Sequence, residues 1–121
     1  MSKNIVVAED FSVSRKIIVG ALTKAGYNVM EAEDGKVAAS LLDGRPIDLL
    51  ITDFNMPNMN GADLIKHVRG NAKYEYMPIL LLTTEVNETK LQSALNGNIT
   101  AWIKKPFETE DFLKIVNKAL R

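Results

Sequence analysis

The chain has no cysteine, which excludes thiol nucleophiles, disulfides and cysteine-ligated metal centres. Neither sign of charge is in excess: 15 Lys and Arg balance 15 Asp and Glu, mixed throughout. A phosphate backbone calls for a clustered basic surface, so nucleic acid is not expected as the ligand. No apolar run reaches membrane-spanning length, and the start Met1-Ser2-Lys3-Asn4 lacks a signal-peptide apolar region. A cytoplasmic protein without membrane insertion is expected. Linkers, repeats and low-complexity stretches are also missing. The single histidine, His67, follows Leu64 and Ile65 on an amphipathic stretch and is expected to face solvent. What remains is a 121-residue chain, 46% hydrophobic and 25% charged, expected to form one domain over residues 1–121. A chain of that size buries roughly two-thirds of its unfolded surface, enough for a core without staples.

The apolar pattern alternates between two lengths. Short runs occur at residues 5–8, 28–32, 47–52, 79–83 and 100–103. Helical spacing lies between them: Ile17, Ile18, Ala21, Leu22 and Ala25 before Gly26, then Val37, Ala38, Leu41 and Leu42 before Gly44. Leu64, Ile65 and Val68 follow, ending at Gly70. A weaker stretch around Leu91, Ala94 and Leu95 stops at Asn96-Gly97, and Phe112, Ile115, Val116, Ala119 and Leu120 form the last. Strict β-α alternation implies an α/β fold, a doubly wound five-stranded parallel sheet flanked by five helices. Spacing does not fix the strand order; 2-1-3-4-5 is the expected one.

In such sheets ligands bind beyond the carboxyl ends of the strands. Here the first run ends in Glu9-Asp10, the third in Thr52-Asp53, the fourth in Thr83-Thr84 and the fifth in Lys104-Lys105-Pro106. The order 2-1-3-4-5 brings Glu9, Asp10, Asp53, Thr83 and Lys105 to one edge. Three carboxylates so close need a counter-charge beyond one lysine. Oxygen ligands without His or Cys suit a hard divalent ion, Mg²⁺. Aspartate is also a possible nucleophile toward phosphorus, forming an acyl phosphate. With Mg²⁺ on one side of the phosphoryl group, Lys105 on another and the Thr83 hydroxyl on a third oxygen, phosphoryl transfer to Asp53 is the reaction the residues suit.

Each residue has a plainer reading. Strand-end acids often only solvate a loop, and Asp10 could cap the helix that follows, with Ser12 and Ser14 nearby. Thr83 alone is a β-former and Lys105 alone a surface charge. Met56, Met59 and Met77 are loop and packing residues, and Asn60-Gly61 marks a turn before a helix. The joint occurrence at the ends of four strands favours chemistry.

The stretches "VVAEDFSVSRKII", "LLITDFNMPNMNGADLI", "PILLLTTE" and "AWIKKPF" resemble the receiver domains of bacterial two-component response regulators. The likeness runs from Asn4 to Leu120, with the motifs in order, and is closest to the single-domain chemotaxis regulators. The resemblance implies a flavodoxin-like receiver without an output domain, a monomer acting as a phosphoprotein and signalling switch rather than an enzyme. It implies Asp53 as phosphoacceptor from a sensor histidine kinase and Mg²⁺ held by Asp10 directly, Glu9 through water, Asp53 and the Asn55 backbone carbonyl. Thr83 and Lys105 would contact the phosphoryl group, Trp102 would be the switch aromatic, and the Lys105-Pro106 bond would be cis. Asn55 and Glu85 would orient the water that removes the phosphoryl group. The surface made by residues 86–95, Trp102 and 107–120 would meet a downstream target such as the flagellar motor switch, in chemotaxis. Three places depart from the pattern. Thr84 replaces a small residue, residues 96–100 replace an Ala-Gly-Ala turn, and Ile115 stands outward where a charge is common.

Two rival functions follow from the same residues. A phosphatase of the haloacid dehalogenase type wants a second Asp two residues after the nucleophile, where this chain has Asn55. A phosphorelay intermediate, or a phosphate-independent interaction module, would use the same fold, the latter without need of Asp10, Asp53, Thr83 and Lys105 together.

Overall fold

A computed structural model describes residues 2–84, 87, 89, 92, 95 and 98–121. Five strands, β1 (Asn4–Ala8), β2 (Asn28–Ala32), β3 (Leu49–Asp53), β4 (Ile79–Thr83) and β5 (Ala101–Lys104), form one parallel sheet in the order β2-β1-β3-β4-β5. Its position along that order follows from each strand's composition. β3 and β4 are buried at every residue and β1 at all but Asn4, as strands covered on both faces must be. β2 exposes Asn28 and Glu31, and β5 exposes Lys104, so the two polar strands take the edges.

Alternate residues of each strand enter opposite layers. Val6, Leu50, Ile79 and Leu81 face α2 (Gly35–Leu41) and α3 (Gly61–Arg69), meeting Ala38, Leu64, Ile65 and Val68. Ile5, Val7, Ile51, Leu80 and Leu82 face the other way, onto Ile18 and Leu22 of α1 (Ser12–Lys24) and Phe112 and Val116 of α4 (Thr109–Ala119). The expected fourth helical stretch, around Leu91 and Ala94, lies mostly outside the described residues. Among these, no helix is long and apolar enough to cross a membrane.

Some details differ from the sequence expectation. β3 starts at Leu49 rather than residue 47, because Asp48 is used otherwise: its carboxylate accepts the Asn4 N–H at 2.7 Å. Ile17, placed on the buried face of α1, is 56% exposed, while its neighbour Ile18 takes the core position. Ile115 is half-buried against the α1–α4 layer instead of standing outward. His67 faces solvent, and Met77 is buried in the α2–α3 layer.

The register decides what the sheet edge carries. Ala8 pairs with Ala32 and Thr52, Asp53 with Leu82, and Thr83 with Lys104. The strands therefore finish nearly level, and the residues just beyond them share one edge.

Candidate functional site

At that edge Glu9, Asp10 and Asp53 each place a carboxylate oxygen within 4.8 Å of the others. Glu9 is 1% exposed, and its oxygens accept from the Phe11 N–H at 3.3 Å and the Lys105 ammonium at 2.8 Å. The ammonium also lies 3.1 Å from Asp53 Oδ2, while Asp53 Oδ1 accepts the Phe54 N–H at 3.1 Å. Lys105 is itself fixed by its backbone N–H, which donates to the Thr83 carbonyl at 2.8 Å, and the Lys105–Pro106 peptide is cis. Phe107 and Phe112 stack at 5.0 Å between ring centres, seating the loop from β5 to α4.

Three carboxylates face one lysine, and the imbalance shows in the titration of the buried acid. Burial, then the Glu9 charge, pushes the Asp53 carboxyl up to about 6, against the opposing pull of Lys105 and the Phe54 N–H. Burial pulls the Lys105 ammonium down, but the Glu9 and Asp53 carboxylates outweigh it and hold it above its ordinary value. An oxygen-only donor set with surplus negative charge fits a hard divalent cation. Asp10, exposed and at the rim, is not the helix cap: Phe11 occupies that position, and no side chain caps α1.

Among the described residues, the other expected ones lie on β4, on β5 and on the loop after β3. Thr83 is buried at the end of β4, and Asn55 is exposed on the loop after β3. Trp102 is half-buried on β5 and packs against the α2–α3 layer. Glu85 lies outside the described residues. Thr84 is exposed and, with Asp53 and Lys105, lines a cavity of about 600 Å³ that opens toward Phe11, Val13 and Ile17.

Three supports were missed by the sequence reasoning. Arg15 donates to the Glu9 carbonyl at 2.7 Å and to Glu31 at 3.2 Å, so it braces β1's end from α1. Gly61 lets α3 begin against the end of β3: a Cβ there would lie 2.4 Å from the Asp53 carbonyl oxygen. Asp34 caps α2 through the Val37 N–H and accepts from the Asn58 amide. An Asp-Gly pair ahead of an apolar repeat is a legible cap signal; nothing in the sequence points from it to Asn58.

The chain belongs to the response regulator receiver domain family, whose model matches residues 5–117. Within that family it is similar to CheY chemotaxis proteins. A CheY homologue from Campylobacter jejuni is 44% identical over 105 residues, 85% of this chain and 81% of that protein. CheY1 from Helicobacter pylori is 41% identical, covering 85% of each. The solved structure of CheY4 from Vibrio cholerae, 34% identical, superposes with a TM-score of 0.94 over 99% of this chain and all of that one.

Proposed function

We propose that this chain is a phosphorylation-activated switch of a chemotaxis-type two-component pathway, working in the cytoplasm and taking a phosphoryl group onto Asp53 from a sensor histidine kinase. One observation carries the reading: Glu9, Asp10 and Asp53 converge at the strand ends with Lys105 as the ammonium between two of them. Such a site gathers negative charge that only a cation and an incoming phosphoryl group put to use.

Asp53 presents an oxygen to phosphorus while the Phe54 N–H holds the other in place. The new O–P bond forms as the P–N bond to the donor imidazole breaks, and the imidazole leaves with the electron pair. Asp10, Asp53 and the Asn55 carbonyl would hold Mg²⁺ directly and Glu9 through water, and the ion would supply charge neutralisation at the phosphoryl oxygens. Lys105 then exchanges its Asp53 contact for a phosphoryl oxygen, and the Thr83 hydroxyl donates to another. That exchange draws on β4 and β5, so Trp102 and the C-terminal helix present a changed surface to a downstream target, the flagellar motor switch by likeness to the CheY relatives. Asn55 and Glu85 orient the water that later hydrolyses the acyl phosphate. The protein is thus a self-modifying signalling protein, not a turnover enzyme.

The test is labelling by a small acyl phosphate with Mg²⁺, read by intact mass. One base-labile phosphoryl group on the wild type, none on Asp53→Asn and none in EDTA is the expected result. Full labelling of Asp53→Asn would remove the assignment.

A further inference from the structure

The loop of residues 54–60, which carries Asn55 past the Asp53 carboxylate, is closed at its base. Phe54 N–H donates to the Leu82 carbonyl at 3.0 Å, and Gly61 N–H donates to the Phe54 carbonyl at 2.8 Å. Its tip is strained. Asn58 has φ of +68°, and the Met59 N–H reaches back to the Pro57 carbonyl at 2.7 Å, which together mark the rarer, left-handed kind of γ-turn. A non-glycine residue stays in such a conformation only when its surroundings over-determine it.

Those surroundings come from the loop after β2. The Asn58 side-chain amide donates to Asp34 Oδ2 at 2.7 Å, while Asp34 Oδ1 accepts the Val37 N–H at 2.8 Å. Asp34 is 8% exposed while Asn58 is exposed, so the bond lies at the edge of the packed surface, anchored from the Asp34 side. Beside it, Gly35 packs so closely that a Cβ would lie 2.0 Å from the Met59 carbonyl oxygen. One carboxylate therefore both caps α2 and holds the tip of the phosphoacceptor loop.

We propose that Asp34 and Asn58 form a latch that positions the 54–60 loop, and with it the Asn55 backbone, against Asp53. Asp34 is a positioning residue for the phosphoacceptor site, though it lies on another loop, 24 residues away from Asn58 in sequence. This rests on the phosphoacceptor reading for its purpose, but the latch itself is a property of the free protein.

The two roles of Asp34 separate by substitution. Asp34→Ser keeps a capping oxygen and loses the reach to Asn58. Asn58→Gly keeps the left-handed backbone and loses the amide. Asn58→Asp sets two carboxylates against each other, and the exchange Asp34→Asn with Asn58→Asp restores an amide–carboxylate pair with the roles reversed. Amide hydrogen exchange of residues 54–60, measured without metal or phosphodonor and well below melting, is the primary reading. Exchange should rise about tenfold or more in Asn58→Asp, Asn58→Gly and Asp34→Ser, and return toward wild type in the exchange variant. Mg²⁺ affinity, read by Trp102 emission, should fall about tenfold in the same single variants and recover with the exchange. Melting temperatures identify any variant whose whole fold has loosened. Wild-type exchange in both Asn58 variants, or an exchange variant no better than Asn58→Asp, overturns the latch. Absent labelling of the wild type by acyl phosphate removes the phosphoacceptor reading instead, and leaves the exchange result to decide the latch.

Discussion

Replacing Asp53 with Asn should stabilise the metal-free protein, and only at neutral pH. The folded state holds the Asp53 carboxyl at about 6 against an ordinary value of 3.8, so it binds that proton more tightly than the unfolded chain does. A raised acid contributes its full stability below pH 3.8 and loses it as pH rises through about 6. The shift amounts to about 3 kcal/mol of penalty above pH 7, at about 1.4 kcal/mol per unit, and to under about 1 kcal/mol at pH 4. Asparagine removes the charge at nearly constant shape, and Lys105 keeps Glu9 as its partner at 2.8 Å. That shift already carries the opposing pull of Lys105; solvent screening at the open sheet edge reduces the gain to roughly 1–3 kcal/mol, or about 3–10 °C in melting temperature for a domain of this size. Thermal unfolding in EDTA at pH 7.5 and pH 4 measures it. A variant less stable than wild type at pH 7.5, or a gain equal at both pH values, refutes the electrostatic argument. Added Mg²⁺ should raise the wild-type midpoint and move the variant less.

Lys105→Arg keeps the charge but not the compact geometry; labelling of Asp53 should persist at a reduced rate while binding to the downstream target is lost, and normal target binding would contradict the coupling. A bulky apolar residue at Asn55 or Glu85 should lengthen the acyl-phosphate lifetime by about tenfold or more, if general positioning of water is their role; decay followed by intact mass with no change in either variant rules that out. A phosphoryl mimic with Mg²⁺ should shift Trp102 emission in wild type, and Thr83→Ala should remove most of the shift while Asp53 can still be modified; equal shifts in both would mean the rotation is not driven through Thr83.

How much of this was legible in the sequence follows from where the information lies. β1, β3 and β4 are buried on both faces, so each appears as an unbroken apolar run, and the runs fix both the fold and the strand ends. Glu9, Asp10 and Asp53 are legible because they follow or end those runs, Thr83 because it ends β4, and Lys105 because it comes directly after the shorter run of β5. The pairing of Lys105 with both Glu9 and Asp53 is not, since it spans 96 residues to Glu9 and depends on register. Arg15 bridges the end of β1 and β2 through Glu9 and Glu31, and Asn58 acts through one hydrogen bond to Asp34 on another loop; no local pattern marks such bonds. Ile17 was misplaced because helical periodicity cannot separate a core position from one lining an adjoining cavity.

The site divides its parts between rigid and yielding elements. Glu9 and Asp53 extend from β1 and β3, two of the three strands with neighbours on both sides and apolar residues in both layers. Truncating one of their buried leucines would cost roughly 2–5 kcal/mol, comparable to or larger than the penalty of holding Asp53 ionised beside Glu9. The core can therefore keep like charges together without the strands giving way, and a bound cation would relieve the repulsion where moving apart would not. Trp102 belongs instead to β5, and Lys105 directly follows it; β5 is an edge strand paired on one side only, with Trp102 half-buried and Lys104 exposed. Of the groups in contact with Asp53, Lys105 is the one attached to an edge. A change in charge at Asp53 would therefore act on the edge of the sheet through Lys105, because the carboxylates follow interior strands and the ammonium follows an edge strand.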